Sequence, residues 1–288
     1  MPIVQLGNRY YFIYIAIFLV IIFLSLLFLK NKSDTYRKWF VFGLVMVNFA
    51  IHFLKLLIYP YTTVDYPLTK ITFENICAVS VLTFPVLFFV KSNALRDYMI
   101  MAGMASGLVA VIFPVDVMVE TFNGAYIGPK HAFSIESIRF YITHFLIFLA
   151  PFLMMRYRMH RLSIKRMLYA PLLLFSVLIL IFINEWVLTL IGWVPKEHFF
   201  SPNHRNPSFI FGSRSDLEGL GLLIGALVPA FMMIHPVTMD PFFWPVFWLF
   251  FPVMVYGTFI AFVFMLIYDR KETHRFFTKL ITRPKNTL

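Results

Sequence analysis

The sequence predicts an all-α polytopic membrane protein with about seven transmembrane helices. Of its 288 residues, 60% are hydrophobic and only 14% are charged, and the mean hydropathy is +0.79. These values lie outside the range of soluble globular domains. Apolar runs of roughly 18 to 27 residues, long enough to cross a bilayer, recur along the chain. We therefore expect a single transmembrane helical-bundle domain over residues 1–288.

Each apolar run is bounded by connectors that carry charged residues, proline or glycine. The predicted spans are residues 11–29, 39–59, 71–90, 98–118, 137–155, 168–190 and 242–268. The fourth span holds the stretch GMASGL, residues 103–108, whose small side chains favour close packing against a neighbouring helix. No internal repeat or nucleotide-binding fingerprint is found in the sequence.

Basic residues cluster in alternate connectors and indicate the orientation of the spans. The segments 30–38, 91–96, 156–166 and 270–288 hold 17 of the 25 lysine and arginine residues. Because cytoplasmic loops carry the excess of lysine and arginine, we expect all four segments in the cytoplasm. The N-terminus is then outside, and residues 270–288 form a basic cytoplasmic tail. The net charge of +11 favours anionic headgroups of the inner leaflet as partners and does not require nucleic acid.

One further apolar stretch, LEGLGLLIGALVPAFMMI at 217–234, is short and rich in glycine. An eighth span at this position would move the basic tail to the outside, against the charge distribution. We therefore expect the segment 217–240 to be re-entrant or interfacial.

Several polar residues of the predicted spans fall at one depth below the outer surface. At about 1.5 Å of rise per residue, Cys77 lies roughly 9 Å into the third span and His144 roughly 10 Å into the fifth. Glu74 lies one turn above Cys77 on the same helix face. Polar residues of other spans share this layer or its upper edge, namely His52, Lys55, Asp116, Arg139, Asn184 and Glu185.

The common depth of these residues predicts a polar chamber close to the outer leaflet. An ionisable residue in a spanning helix costs about 2.5–3.5 kcal/mol on insertion scales, so such residues usually face one another or a wet cavity. Glu74, Glu185 or Asp116 would be the counter-ions of Arg139 and Lys55. Ordinary interfacial residues and interhelical hydrogen bonds are the alternative explanation.

Cys77 is the only cysteine of the chain, so no intramolecular disulfide can form. A thiol next to an imidazole is a nucleophile in many enzymes, because the base removes the thiol proton. Cys77 and His144 are therefore a candidate pair, whereas the alternative for Cys77 is a small packing residue. The sequence has no HExxH-type spacing and no cofactor motif, so we expect neither a metal nor a cofactor.

Three stretches, ENICAVSVLTFPVLFF, VIFPVD and SIRFYITHF, resemble the YwaF-like membrane proteins. These are bacterial relatives of a eukaryotic seven-span, cysteine-dependent phospholipid acyltransferase. Cys77 and His144 fall on the cysteine and histidine positions of that family, whereas Asn75 stands where the family often has histidine. The resemblance implies acyl-transfer chemistry and a multi-pass location in a bacterial plasma membrane.

The leading hypothesis is a membrane-embedded lipid acyltransferase, or a lipase-like enzyme that passes the acyl group to water. Cys77 would attack an ester carbonyl, with His144 as general base and then acid. Glu74 or Asn75 would orient the imidazole or hold the oxyanion. The other polar residues of the layer would bind the lipid, with Arg139 or Lys55 at its phosphate.

The competing hypothesis is a non-enzymatic transporter or lipid-binding protein. The same chamber would then be the binding site, and the short segment 217–234 would be the re-entrant element that such sites use.

Overall fold

The computed structural model describes residues 2–122, 125–201, 206–213 and 218–281. Ten α-helices are formed by these residues, together with several short 3₁₀ turns. They are α1 (Arg9–Leu29), α2 (Asp34–Leu54), α3 (Ile76–Leu87), α4 (Asn93–Ile112), α5 (Val115–Met118), α6 (Ile135–Arg156), α7 (Tyr169–Leu190), α8 (Glu218–Gly225), α9 (Phe250–Tyr268) and α10 (Arg270–Ile281). The described strands are a two-residue antiparallel pair, Thr121–Phe122 with Ala125–Tyr126. The predicted all-α polytopic class is confirmed.

Six of the predicted spans contain helices that are long and apolar enough to cross a membrane. The third predicted span differs, because the apolar helix α3 has only 12 residues. The Asn75 side chain caps the start of α3, and residues 67–71 ahead of it form a 3₁₀ turn. Predicted helix between residues 71 and 75 is therefore absent.

Prolines account for two other differences from the predicted spans. The residue before a proline is disfavoured in the helical region, so helices tend to end there. Helix α4 ends at Ile112, just ahead of Pro114, and α5 begins only after that proline. The last span becomes α-helical at Phe250 and not at residue 242, because Pro241 directly precedes the predicted span and Pro245 lies in its first turn. The second span also leaves the α-helix early and continues as a 3₁₀ turn at Lys55–Leu57.

The basic connectors meet at one end of the bundle, which we call the basic end. The guanidinium of Arg37, early in α2, lies 4.4 Å from the ring centre of Tyr157, after α6. Arg166 forms an ion pair with Asp97 of α4, with Nε and Oδ2 2.7 Å apart. The amide of Ile164 donates to Asp269, where α9 ends. These contacts agree with the alternation predicted from charge, and the side of the membrane stays a prediction.

The segment 217–240 and the tail after the last span each begin with a short helix in the part of the chain that is described. Helix α8, eight residues long, would reach only about 12 Å at the usual rise per residue, so the described part of 217–240 holds no eighth span. Residue 217 lies outside the described residues. The predicted tail begins with α10, which directly follows α9, and residues 282–288 of that tail also lie outside the described part.

Helix α6 is the centre of the bundle. About two thirds of its apolar window is buried, 67% against 17% for α1 and α9. Helix α4 packs closely on it because Gly103 and Gly107 have no side chains. A Cβ atom on Gly107 would lie only 2.8 Å from the carbonyl oxygen of His144 and 2.8 Å from the amide nitrogen of Phe148. The predicted small-residue packing face is confirmed.

Replacing Gly107 by alanine is expected to destabilise the bundle by about 1–3 kcal/mol, because α4 and the backbone of α6 would have to separate. Gly43 of α2 is the matched control, since a Cβ there meets nothing within 4 Å. Gly43→Ala should be neutral or stabilising by up to about 1 kcal/mol. Thermal unfolding of both variants in one detergent measures the difference, and equal midpoints would contradict the close packing at Gly107.

Candidate functional site

Cys77 lies in the first turn of α3, where two side chains hold the helix start. The amide of Ala78 donates to Oδ1 of Asn75 at 2.8 Å, and the amide of Ile76 donates to Oγ of Ser208 at 3.1 Å. Both bonds satisfy backbone donors that a helix start leaves unpaired. The Asn75 oxygen is thus used as a helix cap, which sequence reasoning did not predict. The Cys77 residue is partly exposed.

His144 is buried in the middle of α6. Its Nδ1 lies 2.7 Å from the carbonyl oxygen of Phe140, and its ring centre is 4.2 Å from that of Phe140. Since a carbonyl oxygen only accepts, Nδ1 must carry the proton of this bond. In the neutral ring Nε2 is then the acceptor, which is the tautomer that a general base needs.

Cys77 and His144 pack against the same level of α4. The thiol lies beside the hydroxyl of Ser106, and the next residue, Gly107, faces the backbone of His144. The carboxylate of Asp116 interacts electrostatically with both side chains. Among the described residues, no direct hydrogen bond joins the thiol to the imidazole. The helices therefore bring the two groups to one level, as their predicted depths require, without forming a bonded pair.

Glu74 joins two lysines at the end of the bundle opposite the basic end. Its Oε1 lies 3.0 Å from Nζ of Lys55, and its Oε2 lies 3.3 Å from Nζ of Lys70. Glu74, one of the three carboxylates predicted as counter-ions, therefore pairs with Lys55, whereas its pairing with Lys70 was not predicted. Glu74 precedes the Asn75 cap, so the prediction that it shares a helix face with Cys77 is wrong.

Arg139 pairs with Glu136, and the prediction that Glu74, Glu185 or Asp116 is its counter-ion is wrong. Nε and Nη2 of Arg139 each lie 2.6 Å from a Glu136 carboxylate oxygen. Glu136 lies one turn earlier on α6, and local spacing of three residues favours such pairs. The stretch ESIR, residues 136–139, shows this spacing. It is the sequence signal that would have identified Glu136 as the partner of Arg139.

Tyr61 connects the two ion groups. Its hydroxyl donates to Glu136 at 3.0 Å and accepts from Arg139 at 2.8 Å, and Nζ of Lys55 lies 5.3 Å from its ring centre. Burial, opposed by Arg139, raises the pKa of Tyr61 well above its usual value, so the phenol stays protonated as this bond requires. We call Lys55, Tyr61, Lys70, Glu74, Glu136 and Arg139 the ion cluster.

The remaining predicted residues lie around this cluster. The His52 ring lies beside the backbone of Ile71, and its buried Nε2 has no partner among the described residues. The side-chain nitrogen Nδ2 of Asn184 donates to Thr72 Oγ1 at 3.1 Å. The next residue on α7, Glu185, is buried. These contacts join α2 and α7 to the segment 71–75 that leads to Cys77.

Asp116 lies on the short helix α5, and its backbone oxygen accepts a hydrogen bond from Lys130 Nζ. Burial lowers the pKa of Lys130, although Asp116 and Glu136 oppose this. The carboxylate of Asp116 also interacts electrostatically with Cys77, His144 and Arg139.

A cavity of about 400 Å³ opens beside α7 and is lined mostly by aromatic residues. Phe182 of α7 lines this cavity and also packs in one cluster with Ile76 and Val79 of α3. The cavity thus adjoins the helix that carries Cys77. In the described part of the chain, no group of three His, Cys, Asp or Glu residues is arranged to hold a metal ion.

Comparison with known protein families gives one finding, which covers all the site residues described above. The sequence model of the TMEM164 family matches residues 5–268. No curated protein and no solved structure matches the chain. With the six long apolar helices, this match makes the chain a multi-pass membrane protein.

Proposed function

The chain belongs to the TMEM164 family, and from this premise we propose that it is a membrane enzyme that transfers an acyl group from a phospholipid through the thiol of Cys77. The observation that carries the proposal is the arrangement around α4. The only thiol of the chain and a histidine with a fixed tautomer meet the same level of that helix, below an enclosed group of cations.

The proposed reaction has two steps. Sγ of Cys77 attacks the ester carbonyl of a lipid, and the thiol proton passes to Nε2 of His144. The bond between the carbonyl carbon and the glycerol oxygen breaks, and His144 returns the proton to that oxygen. In the second step the hydroxyl oxygen of a second lipid attacks the thioester carbonyl while its proton passes to His144. The bond between the carbonyl carbon and Sγ breaks, and His144 returns the proton to Sγ. Transfer to water instead would make the enzyme a lipase.

The surrounding residues support this role by their charge. Arg139 and Lys55 are enclosed cations that can meet the phosphate of the lipid. The negative charge of Asp116 favours the imidazolium that forms at His144. His52, Asn184 and Glu185 would line the path of the headgroup, and Glu74 would hold Lys55 in place. The aromatic cavity beside α7 suits an acyl chain, because its lining is almost entirely apolar.

The test is to incubate purified protein in lipid nanodiscs with phosphatidylethanolamine and to measure its intact mass after acid quenching. The expected result is a mass increase of one acyl chain, mapped to the Cys77 peptide and released by hydroxylamine. Cys77→Ala should give no adduct while it keeps the unfolding midpoint of the wild type. Lipid that binds without ever giving an adduct would overturn the proposal and favour the lipid-binding or transport function.

A further inference from the structure

A second cavity, of about 370 Å³, lies at the basic end. It is bounded by the start of α2, the end of α3, the start of α4 and the end of α6. The geometry points to a phosphate-binding site in this cavity, whose ligand is the phosphate group of an anionic phospholipid or of a soluble phosphate compound. This inference is independent of the chemistry proposed for Cys77.

Three cationic residues from three separate elements line the cavity, namely Lys38 of α2, Arg96 of α4 and Arg158 after α6. Arg158 has a left-handed backbone conformation, with φ of 56°, directly after the C-cap residue of α6. Glycine is the usual residue at such a position. An arginine there places a third charge at the cavity despite the backbone preference.

The nearby carboxylates are engaged elsewhere and do not neutralise this charge. Asp34 also lines the cavity, but its Oδ1 is bound by Nη1 of Arg37 at 2.9 Å. Asp97 follows Arg96 in the chain, yet it is held by His160 and Arg166. The cavity therefore keeps a positive character that suits an anion.

Arg96 has an unsatisfied donor at this site. Its Nε is buried and has no hydrogen-bond partner among the described residues, and its Nη2 reaches only the carbonyl oxygen of Phe88, at 3.4 Å. A buried donor without a partner is costly. Two oxygens of one phosphate can satisfy the planar edge of a guanidinium, which is the strongest common mode of phosphate recognition.

The rest of the lining favours a phosphate that carries an apolar chain. Phe88, Met154 and Met159 form the apolar part of the cavity, next to its cations. A phosphodiester at the membrane surface presents this combination of an anionic group and hydrocarbon, whereas inorganic phosphate offers only the charge.

The experiment uses the full-length protein in a neutral detergent, in the Cys77→Ala background so that acyl transfer cannot interfere. Native mass spectrometry measures the binding of dioleoyl phosphatidylglycerol, with dioleoylglycerol as the phosphate-free lipid and inorganic phosphate as competitor. Phosphatidylglycerol is expected to bind more tightly than dioleoylglycerol. Arg96→Gln should weaken this binding by about 10- to 100-fold, the range for a charge-assisted hydrogen bond.

Lys91→Gln is the matched control, because it removes a cation of the same end that does not line the cavity. Its lipid affinity should stay within about twofold of the parent, since Lys91 is exposed and a solvent-exposed charge outside the cavity is screened. If Arg96→Gln does not fold, Lys38→Gln and Arg158→Gln test the same cavity.

Competition by millimolar phosphate, with the same dependence on Arg96, would assign the site to soluble phosphates. Absence of this competition would assign the site to the lipid headgroup. Equal binding of both lipids without phosphate competition, or equal loss in Lys91→Gln, would overturn the inference.

Discussion

Replacing His144 by alanine is expected to slow the acylation of Cys77 by roughly 10²- to 10⁴-fold, the usual contribution of a general base. A free thiol is only a few per cent ionised at neutral pH, so the reaction depends on a group that removes its proton. The bond from Nδ1 to Phe140 fixes the ring with Nε2 as acceptor. The rate of adduct formation in single-turnover intact-mass measurements checks this prediction.

The pH dependence separates a base from a packing residue. Without the imidazole, only thiolate formed by hydroxide reacts, so the rate in His144→Ala should rise about tenfold per pH unit below the thiol pKa. The wild type should depend on pH less steeply above neutrality. His274→Ala, in the exposed part of α10, is the control and should keep the wild-type rate. Equal acylation rates in the wild type and His144→Ala would show that His144 is not the general base.

Replacing Asp97 by alanine should destabilise the protein by about 3–5 kcal/mol, which is typical when one partner of a buried ion pair is removed. Asp97 is fully buried, and its side chain binds His160 Nε2 at 2.5 Å and Arg166 Nε at 2.7 Å. The lower part of the range is expected, because the Arg166 side chain is 25% exposed and can turn toward water.

Asp34→Ala is the matched control for Asp97→Ala. Asp34 also pairs with an arginine at the basic end, but its side chain is 91% exposed. Exposed pairs contribute only about 0–1 kcal/mol. Denaturant unfolding of both variants in the same micelle measures the two losses. Similar losses would mean that the connector between α6 and α7 is held by other contacts.

The spans were predictable because backbone N–H and C=O groups without hydrogen-bond partners are too costly in hydrocarbon. Spanning segments are therefore long apolar helices. The depth of each residue along its predicted helix also indicated that Cys77 and His144 lie at one level. The same depth argument gave Glu74 as one of three candidate counter-ions for Lys55, and the structure shows that these two residues pair.

The details that sequence reasoning missed depend on three-dimensional contacts between residues far apart in the chain. Asp97 of α4 meets His160 and Arg166, which lie in the connector between α6 and α7, and no periodicity links these positions. The three carboxylates predicted as counter-ions of Arg139, namely Glu74, Glu185 and Asp116, left out Glu136, a local partner at helical spacing. Helix α3 was predicted too long because the apolar residues Ile71 and Phe73 were included in the span, whereas Asn75 and Ser208 hold the helix start at Ile76.

The shortness of α3 has a consequence for the membrane itself. Its 12 residues reach about 18 Å, against a hydrocarbon thickness of about 30 Å. Such hydrophobic mismatch is relieved when the bilayer thins around the protein. We expect the lipid surface to dip beside the start of α3, which would bring the ester groups of neighbouring lipids down toward Cys77 without their leaving the bilayer.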